Sequence, residues 1–271
     1  MRGRSTSLVV MYDNGKGVTE DDTEAVKWYR KAADQGDIDA QYNLGWMYDK
    51  GEGVTQDLAQ AAKWYRKAAD QGDVSAQCNL GEMYRTGDGV EQDYWEAVKW
   101  YRKAALQGDI DAQFYVGLMY DNGEGVAEDD SEAAKWYHRA AVRGHADAQH
   151  NLGVAYDDGM GNSQDSIEAV YWWRRAAKQG YVAAQYRLGQ RLARGSGGLQ
   201  DISAGHLDIA TAHMWLTIAA ANGHSNAIGD RDDLENRMSD EQLKKADERA
   251  RRCMEYNYKD CGVKAKPWWL R

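Results

Sequence analysis

The 271-residue chain contains one proline, one phenylalanine and three cysteines, and its 34 Lys and Arg are outnumbered by 43 Asp and Glu, giving a formal net charge of -9. Each shortage excludes something. The negative balance argues against generic binding to nucleic acid or to an anionic membrane surface. No apolar run approaches the roughly 18 residues of a membrane-spanning helix, so direct membrane insertion is not expected. The start, MRGRSTSLVVM, is basic but has only a four-residue apolar run, too short for the core of a signal peptide. Three cysteines allow at most one pair and a remainder. Cys253 and Cys261 are eight apart, a separation that a helix and a turn back could bridge, and spacing alone leaves disulfide and free thiols both open.

Aromatic side chains are abundant instead, with 17 tyrosines and 11 tryptophans. The words AVKWYRKAADQG, from Ala25 to Gly36, return almost unchanged at Ala61, Ala97, Ala133 and Ala169, each 36 residues further on. Trp28, Trp64, Trp100, Trp136 and Trp172 mark the period, and Trp215 follows after 43 residues. Self-similarity at this period indicates stacked two-helix units that bury their apolar faces against their neighbours.

Within one period, Ala40, Leu44, Met47 and Tyr48 form one apolar stripe on a helix termed A. Helix A ends in Gly-x-Gly-Val, as in Gly51 to Val54, where glycine supplies the positive φ that stops a helix. Asp21, Asp57, Asp93, Asp129 and Asp165 then open a second helix, B, each followed three residues later by Glu or Gln in a capping-box arrangement. Helix B carries Ala25, Trp28, Tyr29, Ala32 and Ala33 on one face and stops at Gly36, with Asp37 placed to cap the next helix A.

These patterns, A-x-x-x-L-G-x-x-Y-x-x-G-x-G-V-x-x-D and A-x-x-W-Y-x-x-A-A-x-x-G, closely resemble the Sel-one-like repeat family, relatives of the tetratricopeptide repeat, over about Leu8 to Gly223. The resemblance implies an all-α, right-handed α/α-solenoid whose A helices line a concave groove, serving as a bacterial adaptor or scaffold. It transfers no catalytic residue and no cofactor. The expected organisation is a solenoid over 1–223 of about six repeats, beginning with a partial one in which Leu8 and Tyr12 stand for Leu44 and Tyr48. Capping helices follow over 224–256, with a final helix capped by Ser239 and Gln242, then a tail over 257–271 that contains Trp268 and Trp269. A linker opening at Gly195 is seven residues longer than its counterparts and precedes Asp208, which starts the last helix B. Paired cysteines in such proteins imply an exported, periplasmic or secreted location, with the signal or further repeats upstream.

The repeated tryptophans, rising with the core alanines, read as packing rather than a ligand stack. Cys78 reads as a semi-buried thiol, not a nucleophile. The histidines lack metal-ligand or triad spacing. Gly-x-Gly ends helices instead of following a strand, so it is not a phosphate loop. Function is therefore expected where the repeats disagree. Aligned with tetratricopeptide repeats, the groove columns are Tyr42, Cys78, Phe114, His150 and Tyr186, and Trp46, Glu82, Leu118, Val154 and Gln190. Asp49, Asp121, Asp147, Asp157 and Asp158 make the middle acidic, with Arg85 towards one end and Arg187, Arg191 and Arg194 towards the other. Such a face predicts a protein or peptide partner carrying Lys or Arg; the competing expectation is that these columns complete packing between adjacent A helices.

Two further readings come from relatives. Some proteins resembling this family are immunity proteins that block a secreted toxin such as a lipase. Cysteine-rich relatives are penicillin-binding or β-lactamase-like, but they carry a cysteine pair in every repeat where this chain has Ala33 and Gln41, Ala69 and Gln77, Ala105 and Gln113.

Overall fold

The structure, a computed structural model, describes residues 21–194, 209–258 and 261. Among them it is all helix, without strands, and the helices form the stacked two-helix repeats of a solenoid. The chain divides into two compact units, Met1–Asp129 and Asp130–Arg271. The N-terminal unit holds α1 (Asp22–Asp34), α2 (Ile38–Lys50), α3 (Leu58–Asp70), α4 (Val74–Thr86), α5 (Tyr94–Leu106) and α6 (Ile110–Asn122). The C-terminal unit holds α7 (Asp130–Val142), α8 (Ala146–Asp158), α9 (Ser166–Ala177), α10 (Val182–Arg194), α11 (Ile209–Ala221), α12 (Ser225–Glu235) and α13 (Asp240–Glu255). Within each unit successive helices pack on one another as far as α12, and α13 lies on α11. The partial repeat with Leu8 and Tyr12, the linker from Gly195 to Asp208, and Trp268 and Trp269 lie outside the described residues.

Local chemistry sets the boundaries. The side chains of Asp21, Asp57, Asp93 and Asp165 accept from the backbone N–H three residues on, at 2.9–3.1 Å, satisfying a donor that the helix start would leave orphaned. The glutamates of the expected box turn the other way: Glu24, Glu96 and Glu132 pair with Lys27, Lys99 and Lys135 one turn on. The reciprocal box forms at Ser239 and Gln242, ahead of α13. Helix B ends in a Schellman turn, in which Gly36 N–H donates to Ala33 O (3.0 Å) and Asp37 N–H to Ala32 O (3.2 Å) with Gly36 at φ +86°. Asp37 then caps α2 through Ala40 N–H at 2.9 Å, and His145 Nδ1 takes the same role at α8, accepting from Ala148 N–H at 3.2 Å.

Leu44, Leu80, Val116, Leu152 and Leu188 are fully buried, as are the B-helix alanines Ala68, Ala104, Ala140 and Ala176. At Gly45, Gly81 and Gly153 the glycine after the leucine admits a ring from the next B helix, a Cβ on Gly45 standing 2.8 Å from Tyr65 and on Gly153 2.5 Å from Trp173, while Gly189 admits Leu216. Trp64, Trp100, Trp136 and Trp172 are buried, as packing requires. Their outer faces are covered by the basic residue one turn on, with Lys67 Nζ 3.7 Å from the Trp64 ring centre, Lys103 Nζ 3.8 Å from Trp100 and the Arg139 guanidinium 4.2 Å from Trp136.

Each unit also carries a buried amide ladder. Gln41, Gln77, Gln113, Gln149 and Gln185, at most 7% exposed, donate from Nε2 to the carbonyls of Ala33, Ala69, Ala105, Ala141 and Ala177 at 2.9–3.2 Å. In the N-terminal unit Gln71 donates to Gln41 Oε1 (2.7 Å) and Gln107 to Gln77 Oε1 (2.8 Å). In the C-terminal unit Gln179 donates to Gln149 (2.8 Å) and Asn222 to Gln185 (2.9 Å). Positions 33 and 41, where cysteine-rich relatives carry their pairs, are thus joined here by an amide hydrogen bond.

Candidate functional site

The groove residues lie on A helices; Tyr42, Trp46, Asp49, Glu82, Arg85, Phe114, Leu118, Asp121, His150, Asp157, Tyr186 and Gln190 are half-buried, as are Cys78, Asp147, Val154 and Arg191, whereas Asp158, Arg187 and Arg194 are exposed. Neighbouring helices cover part of both columns. In the N-terminal unit the Tyr42 ring lies 5.7 Å from Tyr65, and Trp46 packs against the cores of two successive repeats. Phe114 lies 5.5 Å from Tyr115, which stacks on Tyr101 at 4.9 Å. Leu118 and Asp121 sit on α6, Asp121 in the last turn.

Charge here is arranged in pairs. Arg85 donates twice to Glu82, at 2.8 and 2.6 Å, and Tyr101 Oη donates to Glu82 Oε2 at 2.6 Å. The Arg85 hydrogen bonds, outweighing desolvation, hold the Glu82 carboxyl below its ordinary range, while burial and then Glu82 push the Tyr101 phenol up. Arg85 is therefore committed within its own helix. Asp49 pairs with Lys50 at 3.0 Å. Together α2, α4 and α6 carry Asp39, Asp49, Glu82, Asp111 and Asp121 against Lys50 and Arg85.

In the C-terminal unit, His150 lies 5.1 Å from Tyr181; burial, with a contribution from Arg187, lowers its pKa from 6.5 to about 4 despite Asp147. Tyr186 stacks on His224 at 3.9 Å. Gln190 Nε2 donates to Tyr186 Oη (2.6 Å) and to Asp230 Oδ2 (2.7 Å). Asp157 lies 3.3 Å from Arg191 Nε, and Arg191 also bonds the Ser166 hydroxyl. Cys78 has its thiol pushed up by burial and then by Asp109, which suppresses the nucleophilic thiolate. No helix among the described residues is long and apolar enough to cross a membrane.

The sequence reading missed three devices: the glutamine ladder, the cations over the tryptophans, and the Glu82–Arg85–Tyr101 knot. Each had a signal in the repeats, namely Gln after a core Ala in every copy, a basic residue three after Trp, and an acid and an arginine one turn apart in α4 alone among α2, α4, α6, α8 and α10.

Six consecutive matches to the Sel1 repeat cover residues 7–37, 38–73, 74–109, 110–145, 146–181 and 182–224. The chain belongs to the Sel1 repeat family. Among solved structures, a Sel1 repeat protein from Oxalobacter formigenes is 35% identical, with 81% of this chain and 85% of that one covered and a TM-score of 0.65. A protective antigen present in uropathogenic Escherichia coli strains, with an SLR fold, is 30% identical, covers 98% of this chain and 65% of its own, and gives a TM-score of 0.60. An immunity protein from Pseudomonas aeruginosa is 22% identical, with 69% of this chain and 70% of that one covered and a TM-score of 0.39. No curated protein matches the chain. Sel1 repeat proteins are generally scaffolds for protein interactions, and typically not enzymes.

Proposed function

We propose that this Sel1 repeat chain is an adaptor whose A-helix faces hold a segment of a partner protein, with a preference for one carrying Lys or Arg. The observation that carries this reading is the way the repeats diverge. The buried positions at Gln41 and Leu44 recur with little change, whereas the half-buried position between them runs Tyr42, Cys78, Phe114, His150, Tyr186. A constant core with a varied flank is what selective recognition needs. The basic preference follows from the formal charge of α2, α4 and α6, which carry Asp39, Asp49, Glu82, Asp111 and Asp121 against Lys50 and Arg85.

The test is affinity capture from the source organism, comparing wild type with a Tyr42→Ala, Phe114→Ala, Tyr186→Ala variant, followed by calorimetry with the captured protein. Selective loss with the folded variant supports the reading, and a captured exported enzyme that the chain inhibits makes it an immunity protein instead of an adaptor. Equal capture by both proteins moves the site off these faces.

A further inference from the structure

Cys253 and Cys261 are joined by a disulfide and are buried, at 0% and 6% exposure, in the core of the C-terminal unit beside Trp173, Ala177 and Trp215. The bond closes a hook in the chain just past α13. Asn257 and Tyr258 adopt left-handed φ values of 48° and 62°, a conformation that side-chain-bearing residues reach at a cost and hold only when the surroundings impose it. The hook is pinned by Tyr258 N–H donating to Cys253 O at 2.8 Å.

What the hook holds is specific. The Tyr258 ring lies over Gly180, so close that a Cβ there would stand 3.1 Å from the ring edge. Its hydroxyl exchanges hydrogen bonds with the Asn222 amide, at 2.9 and 3.1 Å, and Asn222 passes a further bond to Gln185, the last rung of the amide ladder. Tyr258 therefore grips two inter-helix turns at once. Residue 181, next to Gly180, carries the ring against His150, and residue 224, two after Asn222, carries the ring against Tyr186. The two turns under the hook thus position the aromatic partners of two candidate binding residues.

We propose that the Cys253–Cys261 disulfide is a redox lock on the binding face of the C-terminal unit, acting through Tyr258 on the turns that carry Tyr181 and His224. This rests on reading His150 and Tyr186 as binding positions. Opening the lock requires a dithiol reductant: its two thiols give up two electrons and two protons and become a disulfide, while the protein S–S bond breaks to two thiols. Because both sulfurs are buried, exchange waits on local opening of the hook. In the oxidised state the turns are held and the face is preformed; in the reduced state Tyr258 leaves Gly180 and Asn222, and the His150 and Tyr186 contacts loosen.

The test needs no partner, so its failure is distinct from failure of the binding reading. The full chain, labelled with ¹³C at histidine Cε1, is observed by NMR before and after dithiothreitol, with thiol alkylation and mass spectrometry confirming that two thiols besides Cys78 are released. The expected result is that the His150 and His224 signals lose their ring-current shifts, while His138, packed on Trp172 at 5.7 Å, stays in place. A Tyr258→Ala variant with the disulfide intact should reproduce those changes, and it decides the matter alone if reduction lowers helicity at 222 nm. Unmoved His150 and His224 signals in the fully reduced, folded protein, or in Tyr258→Ala, would overturn the proposal. With a partner in hand, affinity should fall about fivefold or more on reduction.

Discussion

A polar side chain inside a repeat core earns its place through its bonds. Gln77 is 3% exposed, donates to Ala69 O at 3.1 Å and accepts from Gln107 at 2.8 Å. Gln77→Leu keeps the volume but leaves the Gln107 amide without that acceptor, so stability should fall by about 1–3 kcal/mol in urea unfolding; an unchanged midpoint would show that the ladder is incidental. His150 offers a second test at this scale. Its pKa is lowered from 6.5 to about 4 by burial and by Arg187. Between those values the unfolded chain binds the proton and the folded one does not, so stability rises with pH across the window. His150 supplies its full contribution above pH 6.5 and loses it as pH falls through about 4. NMR titration should find its ring neutral at pH 5, and His150→Gln should flatten the acid limb of the stability profile.

Helix ends show how one residue type does two jobs. Gly36 and Gly53 both have positive φ, +86° and +64°, but a Cβ at Gly36 meets nothing within 4 Å, whereas at Gly53 it would lie 2.3 Å from Asp22 O at the start of α1. Gly36→Ala should therefore cost about 1–2 kcal/mol, the left-handed penalty alone. Gly53→Ala should cost more, because backbone must also move, and thermal melts of the two variants would separate the terms. The sequence made both glycines legible as helix stops, because Gly-x-Gly-Val and Asp recur in register; it made the Trp28 series and the Leu44 series legible as core for the same reason. Gln41 was harder to read, since a polar residue on an apolar stripe gives no hint of the carbonyl it will meet across a turn. For the candidate columns, the sequence places the residues on the A helices but does not show their burial: how far Tyr65 covers Tyr42, or Glu82 consumes Arg85, depends on helix spacing and on rotamers that a periodic pattern does not encode.

For the whole molecule, stacking each pair of helices on its neighbours makes the repeat, not the residue, the unit that can be removed. Deleting residues 57–92, one full period of 36, joins Gln56 to Asp93 and removes the Glu82–Arg85 pair that Tyr101 meets, but leaves the glycine contact, the amide ladder and the helix cap with equivalent partners. Tyr101 would take the place of Tyr65 against Gly45, Gln107 would take the place of Gln71 at Gln41, and the Asp93 cap would be untouched. The shortened chain should stay helical and soluble with a lower melting temperature. A deletion of 68–97, only six residues shorter, joins Lys67 to Val98 inside a helix, so that Val98 and Lys99 take the places of the buried Ala68 and Ala69 and Tyr101 that of Gln71 at Gln41, and it should lose cooperative melting by circular dichroism. Loss of folding in both deletions would mean that the N-terminal unit depends on contacts beyond nearest neighbours. Survival of both would mean that helix propensity, rather than the 36-residue register, carries the fold.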